Sequence, residues 1–399
     1  MCSPSLNRGW FLTVPIFLIF SFPRLSNAEE RPLQPEMNEL HTVLMNLNTD
    51  LSRPLPYPGS SEHQKIEVRM ERLSRLAHRV TGKTLSNGTG QLYPILGEAL
   101  PEQADQMTSA WRLGQTAYSK ALFRTLSSTC IECHAAGGPH SVPQKRLNDP
   151  DLALWNPVDR GRYLRSVGFL ELAFEAFKQA IEMYGSDARA GSASSWNLEE
   201  ALYELLSLEI RTSGKPDRLI GILKPWGNRE DLPKYLRSDL SGWVRDLDAW
   251  AREPVPQGRV HASQLLSRAK QHIRKAGRLQ ESPTDRSSLV WYWRAVAELY
   301  RVLKLNLRPE QRGDAYFLLG TAFEVLTPRY QETLHERFYE SCIREVPHTP
   351  RSDLCYRKLE RSIVAGYTGS SGTRIPEEVR KRLLELWGTA FLKKGLELR

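Results

Sequence analysis

Cys130-Ile-Glu-Cys133-His134 is the stretch of this 399-residue chain whose side chains converge on chemistry. On a helix, residues three and four apart share a face, so two thiols stand side by side and the imidazole can turn toward them. The spacing is C-x-x-C-H, the covalent attachment pattern of c-type haem. Cys130 and Cys133 would form thioethers with the two vinyl groups of one porphyrin, and His134 would take the iron as its proximal ligand. With 5 cysteines and 9 histidines in the chain, a chance match is on the order of one in a thousand. One covalent haem c is therefore the expected cofactor. A thioredoxin-like pair would want a βαβ context, which the sequence does not offer. A zinc site would need two further ligands, with His134 crowded against Cys133 and His140 the nearest other histidine.

The chain opens with the plan of an export signal. Residues 1–28 carry Arg8, an apolar run from Trp10 to Phe22, and Ser26-Asn27-Ala28 before the expected cut. That run is shorter than the roughly 20 residues a spanning helix needs. The mature chain is expected to begin near Glu29, to be soluble and to reside in the periplasm, with no membrane span. Loss of Arg8 and Arg24 lowers the formal charge from +9 to +7. The excess is spread over residues 151–399 rather than gathered in a block, so nucleic acid is not an expected partner.

Those expectations require elements that hold the motif. Met37, Leu40, Leu44, Leu47 and Leu51 recur at helical spacing over residues 36–52. A proline-rich connector follows at 53–59. Ser61 and Gln64 fit a capping box opening a second helix, with Ile66, Met70, Leu73, Ala77 and Val80 as its stripe. Residues 82–90 read as a loop, with Asn87-Gly-Thr89 as a turn. Pro101 reads as the start of one long helix that runs to about Ala135, leaving little room after Val80 for another. Residues 29–136 are thus expected to form an antiparallel bundle of three or four helices, and residues 137–156 a linker.

Residues 157–399 are also expected to be helical, giving an all-α chain. Gly161, Leu164, Gly168, Ala173, Phe177 and Ala180 are spaced like the small and aromatic positions of a tetratricopeptide unit, and Tyr316, Gly320, Phe323 and Tyr339 form a second trace. Trp243, Trp250, Trp291 and Trp293 are expected to pack between helix pairs. Cys342 and Cys355 flank a proline-broken turn and are expected to form a disulfide. Residues 366–372 are glycine-rich but lack the Lys-Ser/Thr of a phosphate loop, and read as a turn.

A helical bundle with C-x-x-C-H in its last helix resembles the class II cytochromes c, cytochrome c′ and cytochrome c-556, over residues 35–136. The remainder resembles a tetratricopeptide-like repeat domain. In that cytochrome family the first helix decides the sixth iron ligand. A methionine there gives six-coordinate iron suited to single-electron transfer; an apolar residue leaves an open iron that binds nitric oxide or carbon monoxide. Met37 shares the face of Leu40 and Leu44, a position that suits either core packing or reach to the iron as a distal ligand. Met45 lies at the edge of that face, and His41 is a further option. Met183, the sole methionine after the motif, falls inside the repeat-like region. His63, His78, His261, His272 and His335 read as surface or packing residues. The resemblance implies an electron carrier whose repeat domain docks a redox partner protein, or alternatively a gas sensor signalling through the repeats. No nucleophile, carboxylate pair or metal cluster suggests catalysis, and a peroxidase-like activity would need a distal base that the sequence does not supply.

Overall fold

Residues 34–86, 92–135, 151–186, 193–254, 260–282, 284–326, 334–370 and 372–391 are described by the structure, a computed structural model. The expected export signal, Asn87-Gly-Thr89, His140 and most of the expected linker lie outside them.

Among the described residues four helices precede residue 136: α1 (Gln34–Ser52), α2 (Ser61–Ser86), α3 (Tyr93–Arg112) and α4 (Thr116–Ala135). Ser60, not Ser61, caps α2, its hydroxyl accepting the His63 N–H at 3.2 Å. Gly82 lies inside α2, so the helix continues past the expected loop start. The single helix expected from Pro101 is in fact two. Gly114 takes the left-handed conformation (φ +72°) that ends α3, and its N–H bonds the Trp111 carbonyl at 2.9 Å. α3 begins well before Pro101. Pro94 sits in its first turn, where a missing N–H costs nothing, and Pro101 is accommodated within the helix. The interval that looked too short for a third helix therefore holds its first two turns.

These helices enclose a core of Leu47, Met70, Leu73, Trp111 and Leu126, all fully buried. The Trp111 indole donates to the His63 carbonyl at 3.0 Å and stacks on the His63 ring at 4.7 Å, which fixes α3 against α2. The Ser119 hydroxyl donates to the Met107 carbonyl at 2.9 Å, and Thr129 donates to Gln103 at 2.8 Å, which lock α4 onto α3.

The rest of the described chain is a run of helices: α5 (Asp151–Leu154), α6 (Pro157–Ser166), α7 (Leu170–Gly185), α8 (Ala193–Thr212), α9 (Pro216–Gly227), α10 (Lys234–Ala251), α11 (Ala262–Leu279), α12 (Leu289–Leu303), α13 (Pro309–Leu326), α14 (Leu334–Glu345), α15 (Pro350–Gly366) and α16 (Glu377–Ala390). The pairs α6–α7, α7–α8, α9–α10, α11–α12, α13–α14 and α14–α15 pack as hairpins. Two of these rest on glycine–aromatic contacts: a Cβ on Gly161 would lie 2.4 Å from the Phe177 ring, and one on Gly320 would lie 2.5 Å from the Tyr339 ring. α14 and α15 are joined by a Cys342–Cys355 disulfide. Trp243 and Trp291 are fully buried among the helices, and the Trp243 indole donates to the Arg286 carbonyl at 2.7 Å. The glycine-rich turn closes as a two-residue antiparallel pair, Thr368–Gly369 with Gly372–Thr373.

Leu33–Arg399 forms one compact unit. Trp155, at the end of the expected linker, is core: it is 3% exposed and its indole donates to Thr49 of α1 at 3.2 Å. No described helix is long and apolar enough to cross a membrane.

Candidate functional site

The motif occupies the last turns of α4, where two hydrophobic cores meet. Cys130 is half-buried and packs against the four-helix core, whose edge also holds Met37 and Leu44. Cys133, also half-buried, packs instead against the core of the hairpin array. Both thiols are free. Burial pushes each up to about 12, with Cys133 adding to Cys130 and Glu132 adding to Cys133. At neutral pH the pair is therefore protonated. A thiolate is the species that attacks disulfides, so these environments disfavour that role.

Glu132, between the two cysteines, is 3% exposed. Both of its oxygens accept from Arg211 at the end of α8, at 2.6 and 2.8 Å. The Tyr300 hydroxyl of α12 also donates to it. Burial, then the Glu132 carboxylate, hold the Tyr300 phenol well above its ordinary range, so it stays a donor. The Arg211 guanidinium lies 5.4 Å from the Trp293 ring centre and 5.0 Å from that of Tyr300. Two helices distant in sequence, α8 and α12, are thus fastened to the centre of the motif.

A second buried network backs this one. Arg162 of α6 donates to Glu204 at 2.8 Å and Glu200 at 2.9 Å, both on α8; Arg165 donates to Glu204 at 2.9 Å and Ser207 at 2.8 Å. Burial alone would raise the Glu204 carboxyl, but Arg162 and Arg165 outweigh it and hold the group below the usual carboxylate range. Arg124 of α4 pairs with Asp159 of α6 at 3.4 Å.

The first-helix options separate by which core they join. Met37 is half-buried on the same core as Cys130. Met45 is 7% exposed and belongs to the other core, beside Leu92 and Ile95. His41 is engaged by Tyr163, through a ring-nitrogen to hydroxyl hydrogen bond and stacking at 5.3 Å. Met183 is exposed. Elsewhere His78 meets Asp105, His272 stacks on Trp291, and His335 bonds Ser362. No cluster of three metal-ligating side chains occurs among the described residues.

The donor set, two free thiols and an imidazole at C-x-x-C-H, is chemically right for haem c. The space is not open. The cleft beside Cys130, between Leu44 and Leu51 of α1, Phe123 of α4 and Tyr163 of α6, holds about 30 Å³, against the several hundred that ligand pockets of cofactor size require. Glu132, Arg211, Tyr300 and the Arg162–Glu204 pair were not legible as site residues. The one local signal was a carboxylate inside an otherwise apolar and thiol-bearing helix end. Comparison of the chain with protein-family models, with curated proteins and with solved structures found no match in any of the three.

Proposed function

We propose that this chain is an exported monohaem c-type cytochrome that carries single electrons, with residues 157–399 serving as a helical-repeat domain that docks a redox partner. The observation that carries the reading is the placement of Cys130, Cys133 and His134 at the end of the fourth helix of a bundle, with Cys130 and Met37 bordering one core. Cys130 and Cys133 would tether haem c and His134 would ligate its iron. When bound, the haem supplies a one-electron redox couple. Glu132, held by Arg211 and Tyr300, fixes the helix turn that presents all three side chains. The shared core of Met37 and Cys130 favours a six-coordinate iron, and with it electron transfer rather than gas sensing.

The test is a visible spectrum of protein made in a haem-maturing host, recorded oxidised, reduced and with carbon monoxide. A low-spin reduced spectrum unchanged by carbon monoxide supports the carrier. A colourless protein rejects the haem, and a high-spin form that binds carbon monoxide rejects the carrier.

A further inference from the structure

A cavity lies between the end of α8, the start of α9, the end of α10, and α11 and α12. It holds about 920 Å³. Its walls are unevenly charged. Lys215 stands at the head of α9, Arg268 and Lys275 on α11, Arg294 and Arg301 on α12. Glu253 is taken by Arg294, at 2.9 Å, and Glu298 by Arg268 at 3.0 Å and Arg301 at 3.5 Å. Arg211, also in the wall, is neutralised from behind by Glu132. Asp217 is the remaining acid of the wall. Among the described residues no carboxylate lies within ion-pair distance of Lys215 or Lys275, and both are exposed. Burial, then Arg294, push His272 down to about 3, so it adds no charge of its own. The groove keeps a positive excess.

The spacing of that charge selects the ligand. Arg268 and Lys275 are seven residues apart on α11, as are Arg294 and Arg301 on α12, so each pair lies about 10 Å apart along its helix. A single phosphate cannot span such a row. A peptide in the extended polyproline II conformation advances about 3.1 Å per residue with three residues per turn, so acids at every third position present carboxylates on one face about 9 Å apart. The indole faces support the same geometry: the Lys275 ammonium is held 3.4 Å from the Trp291 ring centre, and Arg294 lies 4.6 Å from that of Trp250. These contacts hold the cations in place along a flat aromatic floor.

We propose that this groove is the docking site for an extended acidic segment of the partner protein. The identity of that partner as a redox protein rests on the electron-carrier reading; the acidic-segment site itself does not. Arg211 links the two regions, since one guanidinium lines the groove and holds the carboxylate between the motif cysteines.

The experiment is fluorescence anisotropy on the full chain, with a labelled peptide carrying glutamate at every third position between glycine and serine, and a lysine twin. The groove variant is Lys215→Gln/Lys275→Gln/Arg301→Gln. A control variant removes equal charge from α15 and α16 (Arg357→Gln/Arg361→Gln/Arg380→Gln). Helical circular dichroism checks folding, and Lys215→Gln alone gives a milder second variant. The groove variant should weaken the glutamate peptide by about tenfold and the control by less than about twofold, with binding lost near 0.5 M salt. Equal loss in both variants, no loss in the groove variant, or equal binding of the lysine twin overturns the proposal. So does displacement by inorganic phosphate but not by acetate at matched ionic strength, which would mark a small-anion site. Peptide binding without covalent haem would sustain the groove and reject the cytochrome; haem without peptide binding would do the reverse.

Discussion

Glu132 and Arg211 form a two-pronged ion pair, at 2.6 and 2.8 Å, with both side chains 4% exposed. One partner lies between the motif cysteines and the other 79 residues later in the chain. A buried pair of this kind gives specificity of docking more than net stability, because desolvation offsets most of the attraction.

Removing one partner should therefore cost far more than removing all. Arg211→Met, which leaves the Glu132 charge buried, is expected to lose about 3–5 kcal/mol of unfolding free energy. Glu132→Leu/Arg211→Met/Tyr300→Phe should recover most of it. Urea titration of the two variants measures this; equal losses would show that the pair is simply stabilising.

The acid limb of stability should depend on Glu204. Its folded-state pKa lies below the ordinary value because of Arg162 and Arg165. A depressed carboxylate contributes stability that is fully present above its unfolded pKa, about 4.3, and is lost as pH falls through the folded value. The stability gap between wild type and Glu204→Gln is expected to be full at neutral pH and to shrink below about pH 4.3. Unfolding curves across that range check it; a gap independent of pH would contradict the assignment.

Glycine contacts give a stability test of the hairpins. Gly161→Ala would drive a methyl into Phe177 and should cost about 1–3 kcal/mol. Gly221→Ala on α9 meets nothing within 4 Å and should gain about 0.5–1 kcal/mol. Thermal unfolding of both compares them directly, and similar effects would mean that the α6–α7 contact is looser than described.

Much of this was legible in the sequence, for identifiable reasons. Gly161 with Phe177, and Gly320 with Tyr339, stand out because close helix contacts demand a missing side chain opposite an aromatic one. Cys342 and Cys355 flank a short turn, so proximity followed from chain length. The break at Gly114 did not show, because Met107, Trp111, Tyr118 and Leu122 keep helical spacing across it. The start of α3 was hidden because Pro101 reads as a helix start, whereas the first-turn proline is Pro94 and Pro101 lies inside the helix. Arg211 could not have been paired with Glu132 in advance, since that contact depends on how α8 and α12 close over α4. Periodicity set Met45 only at the edge of the face that Met37 shares, and its membership of the second core was not legible.

The distal side can be probed through that separation. Met37→Leu in haem-loaded protein is expected to turn a low-spin reduced spectrum into a high-spin one that binds carbon monoxide, whereas Met45→Leu and His41→Phe should leave it low-spin. Spectra of the three variants decide it; an unchanged Met37→Leu spectrum would remove that residue from the iron.

Mass measurement of the denatured chain is the most direct test of the whole. Protein produced in a haem-maturing host, unfolded and stripped of loosely held groups, should carry the mass of one haem on the peptide spanning Cys130 and Cys133. Cys130→Ala/Cys133→Ala should carry none. A wild-type peptide at its bare mass, with both thiols still open to alkylation, would contradict the central claim.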